Sequence, residues 1–373
     1  MLTKISRAFN DPMNLSERVS FVGGSFLARR FSNILQLNET VMKICNQTKV
    51  EPSKGAKTLL CRHEYLTRNL ISEEKFLLED TLREYENANT KFSFDQYFWD
   101  SHYSPRYSVN KSFIKTVLEG GYETIILGSW TPNRFWQPSI STLEKLKKKN
   151  IRIISIWFDS CSDKFIGGIK DIIDLFDIHV LAENPLIDLG PEGEKLSSDQ
   201  KNKFISPCWS FAQNFLNPKK NKTINTVFLG RTGSYRDYRR KYIDALMKNN
   251  IAGYFHTGDR NFQLDWGNYR NIMSSANICL NFSYSVDKHQ LKGRAQQAFH
   301  AKSLLLETKN PQIEVFFRDG IDYVSFETED DLIEKINYYL ENPEQAEKIA
   351  KSCYQKVVTE YTPESLWNRI LQS

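Results

Sequence analysis

A hydrophobic run followed by a glycine turn and several arginines is the part of this sequence that points most directly to chemistry. Residues 226–229 predict a strand, Gly230 ends it, and Ser234 is placed to cap a following helix. Backbone N–H groups at a helix start lack intrahelical partners and attract anions. Arg231 in the turn and Arg236 in the predicted first helical turn can add charge-assisted hydrogen bonds. The stretch predicts a phosphate-binding turn; the alternative is an ordinary strand-to-helix turn with solvated arginines.

A second polar group follows the predicted strand at residues 276–282. There Lys292, Gly293 and Arg294 stand at the start of another predicted helix. In a doubly wound sheet the loops after the carboxyl ends of the strands gather at one edge, so these residues should face the same crevice as Arg231. Taken alone, such a run is more typical of a solvated helix start.

The turn at Gly230 matches neither of two common phosphate-binding patterns, the Walker A loop G-x-x-x-x-G-K-[ST] and the dinucleotide-binding G-x-G-x-x-G.

The elements that would position these residues alternate along the chain. Short runs rich in Val and Ile predict strands at residues 58–61, 124–127, 151–158, 178–182, 226–229, 251–256, 276–282, 303–306 and 323–326. Amphipathic stretches predict helices at residues 141–149, 235–248, 329–340, 344–360 and 363–371. Capping boxes are predicted at Thr328 with Asp331, Ser141 with Glu144 and Ser234 with Asp237. Strand alternating with helix predicts an α/β fold, with parallel sheets covered by helices on both faces.

The length of 373 residues favours two domains. The alternation breaks at residues 207–222, where two prolines and a polar run intervene. We therefore predict an N-terminal Rossmann-like domain at 1–206, a linker at 207–222, a C-terminal Rossmann-like domain at 223–360 and a closing helix at 361–373 that packs back on the first domain. Residues 1–56 are ambiguous, because they fit either an opening strand, glycine turn and helix or a basic amphipathic helix interrupted by glycines.

Composition excludes several classes of protein. With 40% hydrophobic and 25% charged residues, the chain is globular rather than disordered or collagen-like. The six cysteines are scattered without a C-x-x-C pair, which predicts reduced, buried thiols and no structural zinc. No apolar run suits a membrane span or a signal peptide, so we expect a cytoplasmic protein.

The net charge of +5 lies in residues 1–60, where nine basic side chains face four acidic ones. The neutral remainder argues against a nucleic-acid partner. The basic segment suggests a peripheral contact with an anionic membrane on its inner face.

From about residue 226 to residue 371 the sequence resembles the second domain of GT-B glycosyltransferases, particularly the group-1-like proteins related to spore-maturation glycosyltransferases. The matching features are Gly230 with the downstream arginines Arg236 and Arg239, Tyr269 ahead of residues 274–282, Gly293 with Arg294, and the tail segments at 317–324, 330–332, 339–343, 349–350 and 361–362.

This resemblance implies two Rossmann-like domains facing a cleft. It implies a nucleotide-sugar donor bound mainly by the C-terminal domain, an acceptor (a glycan, a lipid or another molecule) bound mainly by the N-terminal one, and neither a cofactor nor a bound metal. Gly230, Arg231 and Arg236 correspond to diphosphate contacts, and Arg294, with its neighbours Lys292 and Gly293, to contacts near the diphosphate or sugar.

Two positions depart from the family pattern. Gln297 stands where relatives have a glutamate that binds the nucleotide ribose, and His289 stands where the E-x7-E pattern has its first glutamate. The departures leave the retaining stereochemistry open, while a glutamine can still bind a hydroxyl.

In the first domain, residues that directly follow the predicted strands are candidates for the acceptor side of the cleft. These are Arg62, His63 and Glu64, then Ser129 and Trp130, then Asp159. An inverting enzyme needs a base for the acceptor hydroxyl, and we expect Asp159 to be that base, with His63 second. An equally strong reading makes Asp159 a helix cap. The aromatic stretch at residues 92–103 fits either a sugar-stacking platform or core packing.

Three other functions remain open on the sequence. A catalytically degenerate sugar-nucleotide or glycan-binding protein would explain Gln297 and His289. A membrane-surface interaction protein would explain the basic segment at residues 1–60. A phage-type DNA glucosyltransferase is remote, because it would need a broad basic face.

Overall fold

The computed structural model describes residues 56–65, 71–100, 109–132, 134, 136–158, 168–182, 193–233, 236–257, 264–282, 289–291 and 293–373. The strands of this part of the chain are β1 (Ala56–Arg62), β2 (Phe92–Phe98), β3 (Thr124–Gly128), β4 (Arg152–Trp157), β5 (Ile178–Leu181), β6 (Phe204–Ile205), β7 (Ile224–Leu229), β8 (Gly253–His256), β9 (Ala276–Asn281), β10 (Leu304–Thr308) and β11 (Val324–Phe326).

Helices connect most of these strands. They are α1 (Asp80–Ala88), α2 (Val109–Glu119), α3 (Ile140–Lys147), α4 (Ser198–Asn202), α5 (Tyr238–Lys248), α6 (Trp266–Ser274), α7 (Gly293–His300), α8 (Pro311–Glu314), α9 (Glu329–Glu341), α10 (Pro343–Thr359) and α11 (Pro363–Gln372). A π-helical segment at Lys75–Glu79 precedes α1, and a 3₁₀ helix covers Lys170–Leu175.

Two sheets organise the fold. One has six strands in the order β2-β1-β3-β4-β5-β6, and the other has five in the order β11-β10-β9-β7-β8. The pairings of β1 with β2 and β3 are parallel, as are all four pairings of the second sheet. This confirms the predicted α/β class with two parallel sheets. Central strands such as β3 and β10 are buried along nearly their whole length. Because helices cover both faces of a parallel sheet, such strands have mostly apolar sequences without polar alternation.

Contacts group the chain into two compact units. The first comprises residues 1–75, 89–155 and 175–177, and the second residues 76–88, 156–174 and 178–373. In the second unit a core of Phe228, Leu280, Phe282 and Phe326 lies against the five-stranded sheet. The domain boundaries drawn from the sequence stay a prediction.

The segment at residues 207–222, predicted to be a linker, is buried in its first part and exposed at residues 217–221 apart from the partly exposed Pro218. Trp209 and Phe211 are buried, and Phe211 stacks on Phe215 with ring centroids 4.3 Å apart. Lys222 at its end is partly buried, and its Nζ lies within hydrogen-bond distance of four oxygens. Packing therefore holds the first part of this connection, and the Lys222 contacts hold its end.

The closing helix α11 packs on α1 within the second unit. The Trp367 side chain is fully buried, and its Nε1 donates to Thr81 Oγ1 at 3.0 Å. Tyr85 Oη donates to Asn368 Oδ1 at 3.1 Å. Two distant parts of the sequence are thus joined by a buried aromatic and two hydrogen bonds.

The aromatic stretch near residue 92 forms a strand that the sequence did not predict. Phe94, Tyr97 and Trp99 are buried, and the Tyr97 ring lies 5.1 Å from that of Phe113. Core packing is therefore the correct interpretation of these three side chains. A stacking platform needs exposed rings.

Two predicted helix starts are corrected. Ser139, not Ser141, caps α3, because its side chain accepts the Thr142 N–H. Helix α5 begins at Tyr238, so Arg236 lies before the helix and not in its first turn. Thr328 does cap α9 by accepting the Asp331 N–H at 3.1 Å.

Cys61, Cys208, Cys279 and Cys353 are buried free thiols, as predicted; Cys45 and Cys161 lie outside the described residues. No helix in the described part of the chain combines the length and the apolar character needed to cross a membrane. The predicted opening unit within residues 1–55 also lies outside the described residues.

Candidate functional site

The turn after β7 is built on the backbone of its neighbours. Gly230 N donates to His256 O at 2.9 Å, which ties the turn to the end of β8. Arg294, at the start of α7, reaches under the turn and donates from Nε to Leu229 O at 2.7 Å. Its guanidinium carbon lies 4.8 Å from the centre of the Phe228 ring. The structure thus brings Gly230 and Arg294 together, as the sequence predicted.

A second arginine holds the other side of the same turn. Arg239, on α5, is 3% exposed and donates from Nη1 to Arg231 O at 3.2 Å. Its Nε donates to Tyr238 Oη at 3.1 Å. Burial, and then the charge of Arg294, lowers the pKa of Arg239 below its usual value. The Arg239 cation is therefore held at an electrostatic cost that an anion would offset.

Behind these arginines lies a buried polar chain on adjacent strands. Glu307 on β10 is the register partner of Asn281 on β9, and both side chains are fully buried. Asn281 Oδ1 accepts from Arg294 Nη1 at 2.6 Å, while Asn281 Nδ2 donates to Glu307 Oε2. Burial raises the pKa of Glu307 to about 7, although Asn281 and Arg294 act in the opposite direction.

The charges at this turn are not balanced by direct ion pairs. Neither Arg239 nor Arg294 forms an ion pair with a carboxylate of the residues that the structure describes. The nearby acid, Glu307, is separated from Arg294 by the Asn281 amide. Two guanidinium groups therefore leave positive potential at a turn made of backbone and glycine, and such a place favours a phosphate.

The other residues predicted to bind the donor differ in how deeply they are buried. Gln297 on α7 is 2% exposed, and its Oε1 accepts from Tyr269 Oη. Arg236 and His289 are partly exposed, and Gly293 begins α7. Lys292 lies outside the described residues.

The first unit presents His63 at the end of β1. Its backbone N–H donates to Glu74 Oε2 at 2.6 Å, and its carbonyl accepts from Arg62 Nη1 at 2.7 Å. Asp100 accepts the next two N–H groups, those of Glu64 and Tyr65, each at 2.9 Å. The His63 imidazole has no hydrogen bond or ion pair with the described residues and is partly exposed. The backbone at His63 is fixed while its ring is available.

Ser129 directly follows the neighbouring strand β3 and has a left-handed conformation with φ of 50°. A non-glycine residue adopts this conformation at a cost, and it persists where the surroundings impose it. The buried Gln137 holds this stretch of backbone by donating to Ser129 O at 3.1 Å and accepting from Thr131 N at 2.8 Å. Trp130 is buried and donates to Pro138 O, so it belongs to the core and not to the site.

Asp159, the first choice for a base, lies outside the described residues, and its role stays a prediction. Within the described residues no group of three or more His, Cys, Asp or Glu side chains is placed to hold a metal ion. Metal independence also stays a prediction.

Sequence reasoning missed Arg239 as a site residue, and it missed Asn281 and Glu307 entirely. The signal for the last two was present, since Asn281 is the last residue of the largely apolar strand β9 and Glu307 follows three leucines in β10. Their connection to Arg294 was not readable, because it depends on strand register.

Comparison with known proteins gives the family and the fold that this chain resembles. Residues 231–372 match a family model described as glycosyl transferase-like. Comparison with curated protein sequences gives no significant match.

Three solved structures are similar to this chain, and each similarity extends over nearly the whole of the solved chain. Anabaena HepE in complex with UDP and glucose has 10% identity and a TM-score of 0.56 over 84% of this chain and 98% of that one. A glycosyltransferase from Rickettsia africae has 12% identity and a TM-score of 0.56, over 85% and 97% of the two chains. Sucrose-phosphate synthase from Thermosynechococcus elongatus has 11% identity and the same score, over 85% and 97%.

These matches confirm the predicted GT-B fold class and the predicted resemblance to group-1-like glycosyltransferases. The chain has a glycosyltransferase fold, and the family match covers its C-terminal part.

Proposed function

We propose that this chain, which has a glycosyltransferase fold, transfers a sugar from a nucleotide-sugar donor to a hydroxyl acceptor without a bound metal. The observation that carries the proposal is the pair of arginines under the Gly230 turn, neither of which has an ion-pair partner among the described residues. The fold relative HepE was solved with UDP and with UDP-glucose, which makes a UDP-sugar the first donor to test.

The proposed chemistry of this turn is stabilisation of the leaving diphosphate. Negative charge develops on the diphosphate as the sugar leaves, and fixed cations already aimed at that position lower the barrier. Arg294 and Arg239 suit this role, because guanidinium groups stay protonated at physiological pH. Their bonds to Leu229 O and Arg231 O keep both groups in place before the donor arrives.

The proposed base for the acceptor hydroxyl among the described residues is His63. Two hydrogen bonds fix its backbone, and its imidazole makes no bond to the described residues that would compete with an acceptor. Asp159 remains the alternative base. For the donor, we propose that Gln297 contacts the ribose and that Tyr269 fixes the orientation of its amide.

Release of UDP from UDP-glucose by the purified chain tests the function. We expect slow donor hydrolysis without an acceptor, and Arg294→Met should reduce it at least a hundredfold. Arg369→Met is the matched control, because Arg369 is an exposed arginine on α11. Binding without any release of nucleotide from UDP, GDP, ADP or CMP sugars would favour the degenerate binding protein.

A second proposal concerns location. The charge of +5 in residues 1–60 supports peripheral attachment of a cytoplasmic protein to an anionic membrane surface. Sedimentation with vesicles containing anionic lipid tests this: deletion of residues 1–50 should abolish partitioning. Equal partitioning of the two forms would contradict it.

A further inference from the structure

We propose that Glu307 is a positioning residue of the donor site, acting through Asn281 on Arg294, and that a diphosphate at the Gly230 turn is bound most tightly when the Glu307 carboxyl is protonated. This inference rests on the donor-binding part of the proposed function, because it assumes that the Gly230 turn is where the diphosphate binds.

Chemistry fixes the direction of each hydrogen bond in the series Arg294, Asn281 and Glu307. A guanidinium only donates, so the Asn281 atom that faces Arg294 must be Oδ1. The Asn281 amide nitrogen is then turned toward Glu307, whose Oε2 accepts. The other carboxyl oxygen lies 3.4 Å from Thr308 Oγ1. Glu307 therefore fixes the orientation of the Asn281 amide, and the amide in turn fixes Arg294.

Separation of the acid from the cation by one amide has an electrostatic consequence. A carboxylate in direct contact with Arg294 would neutralise the guanidinium and weaken its attraction for an anion. With Asn281 between them, Arg294 donates to a neutral acceptor, so its positive charge is not cancelled and can attract an anion at the turn. Arg239 adds to this potential, since it too has no ion pair within the described residues.

Glu307 can change its charge in the physiological range. Burial raises its pKa to about 7, against the influence of Arg294 and Arg239. Two tyrosines, Tyr238 and Tyr323, also lie close enough to interact with this carboxyl, and both have raised pKa values. Among the described residues, the charged or titratable groups that interact with Glu307 are thus two cations, Arg294 and Arg239, and two phenols, Tyr238 and Tyr323.

A diphosphate at the turn would shift the Glu307 equilibrium further toward the protonated form. The anion repels an ionised Glu307 and offsets the arginines that favour ionisation. By linkage the effect is mutual, so ionisation of Glu307 weakens anion binding. Donor affinity should therefore be highest below pH 7 and should fall as the pH rises through 7 and above.

Titration calorimetry of the full chain with UDP-glucose tests this, because the diphosphate diester does not itself ionise near neutral pH. The wild-type dissociation constant should rise about tenfold between pH 6 and pH 8.5, which corresponds to a coupling of one pKa unit. Glu307→Gln keeps the acceptor for Asn281 but cannot ionise, so its dissociation constant should stay nearly constant. Glu327→Gln is the matched control, because Glu327 is an exposed glutamate after β11, and it should keep the wild-type slope.

Proton uptake gives a readout that does not depend on any variant. Calorimetry at pH 7.5 in buffers of different ionisation enthalpy should show fractional proton uptake on binding of UDP-glucose. Binding without uptake, or a Glu307→Gln variant with the wild-type slope, would overturn the inference while leaving the proposed donor site intact. No binding of UDP-glucose at any pH would overturn both. A Glu307-dependent slope without sugar transfer would overturn the proposed function and leave the inference standing.

Discussion

Gly230 is close to a guanidinium that a larger residue would displace. A Cβ built at position 230 would lie 2.3 Å from Arg294 Nη2 and 3.0 Å from the Phe228 ring. At Gly233, three residues on, the nearest atom would be 4.0 Å away, at Arg240 Nη2. The glycine at 230 is therefore required for the close approach of Arg294 and not for a positive φ.

Gly230→Ala should weaken binding of UDP-glucose by about 10- to 100-fold. The displaced Arg294 would lose a charge-assisted hydrogen bond of about 1.5–3 kcal/mol. Gly233→Ala is the control and should bind nearly as the wild type does. Calorimetric titration of both variants checks this, and equal affinities would show that Arg294 does not contact the donor.

Glu307 makes a separate prediction about stability in the absence of ligand. Its pKa is raised from 4.5 to about 7 in the folded protein, so the folded state holds the proton more tightly. The stability that this provides is fully present below pH 4.5 and is lost as the pH rises through 7. The difference in unfolding free energy between wild type and Glu307→Gln should therefore shift by about 3 kcal/mol against the wild type across this window. Urea unfolding at pH 5 and pH 8 measures it, and a constant difference would contradict the shifted pKa.

At the scale of elements, Lys222 joins three parts of the second unit. Its Nζ lies within 3.0 Å of the carbonyls of Ala276, Ala301 and Lys302, and of Ser303 Oγ. Two of these carbonyls follow the end of α7, where backbone carbonyls lack intrahelical partners and a cation is favourable. The lysine therefore holds the end of the helix whose start carries Arg294.

Lys222→Met should lower the free energy of unfolding by about 2–3 kcal/mol, because buried carbonyls would lose a charged donor. Lys220→Met serves as the control, since Lys220 is exposed two residues earlier and should change stability little. Denaturant unfolding of the two variants provides the comparison. Equal midpoints would mean that water replaces the ammonium group without cost.

At the scale of the whole molecule, the residues proposed for donor binding and for proton removal belong to different units. Arg294 and the Gly230 turn belong to the second unit, and His63 belongs to the first. The two functions should therefore be separable by single substitutions that remove one chemical group each.

His63→Gln should leave the affinity for UDP-glucose within about twofold of wild type and reduce sugar transfer about 100-fold or more, because a positioned base contributes 10²–10⁴ in rate. Arg294→Met should reduce both the affinity for UDP-glucose and the rate of sugar transfer. Measuring binding by calorimetry and transfer by release of UDP in the same preparations distinguishes the cases. Full transfer by His63→Gln would favour Asp159 as the base.

The amino-acid sequence alone determined the elements and their class. Apolar runs such as that of β9 and caps such as Thr328 act over a few residues, so the alternating strands and helices could be predicted, as could the turn at Gly230. Local patterns misled where tertiary packing decided: Phe94 and Tyr97 are buried in a strand that the sequence did not predict, and Ser139 rather than Ser141 caps α3.

Tertiary structure decided the content of the site. Parallel register places Asn281 beside Glu307, and the start of α7 carries Arg294 beneath a turn more than 60 residues earlier. The local sequence around Glu307 gives no sign of its arginine neighbours or of its raised pKa. The reason is physical: helix and strand preferences depend on neighbours along the chain, whereas hydrogen bonds and buried charges depend on groups that only the fold brings together.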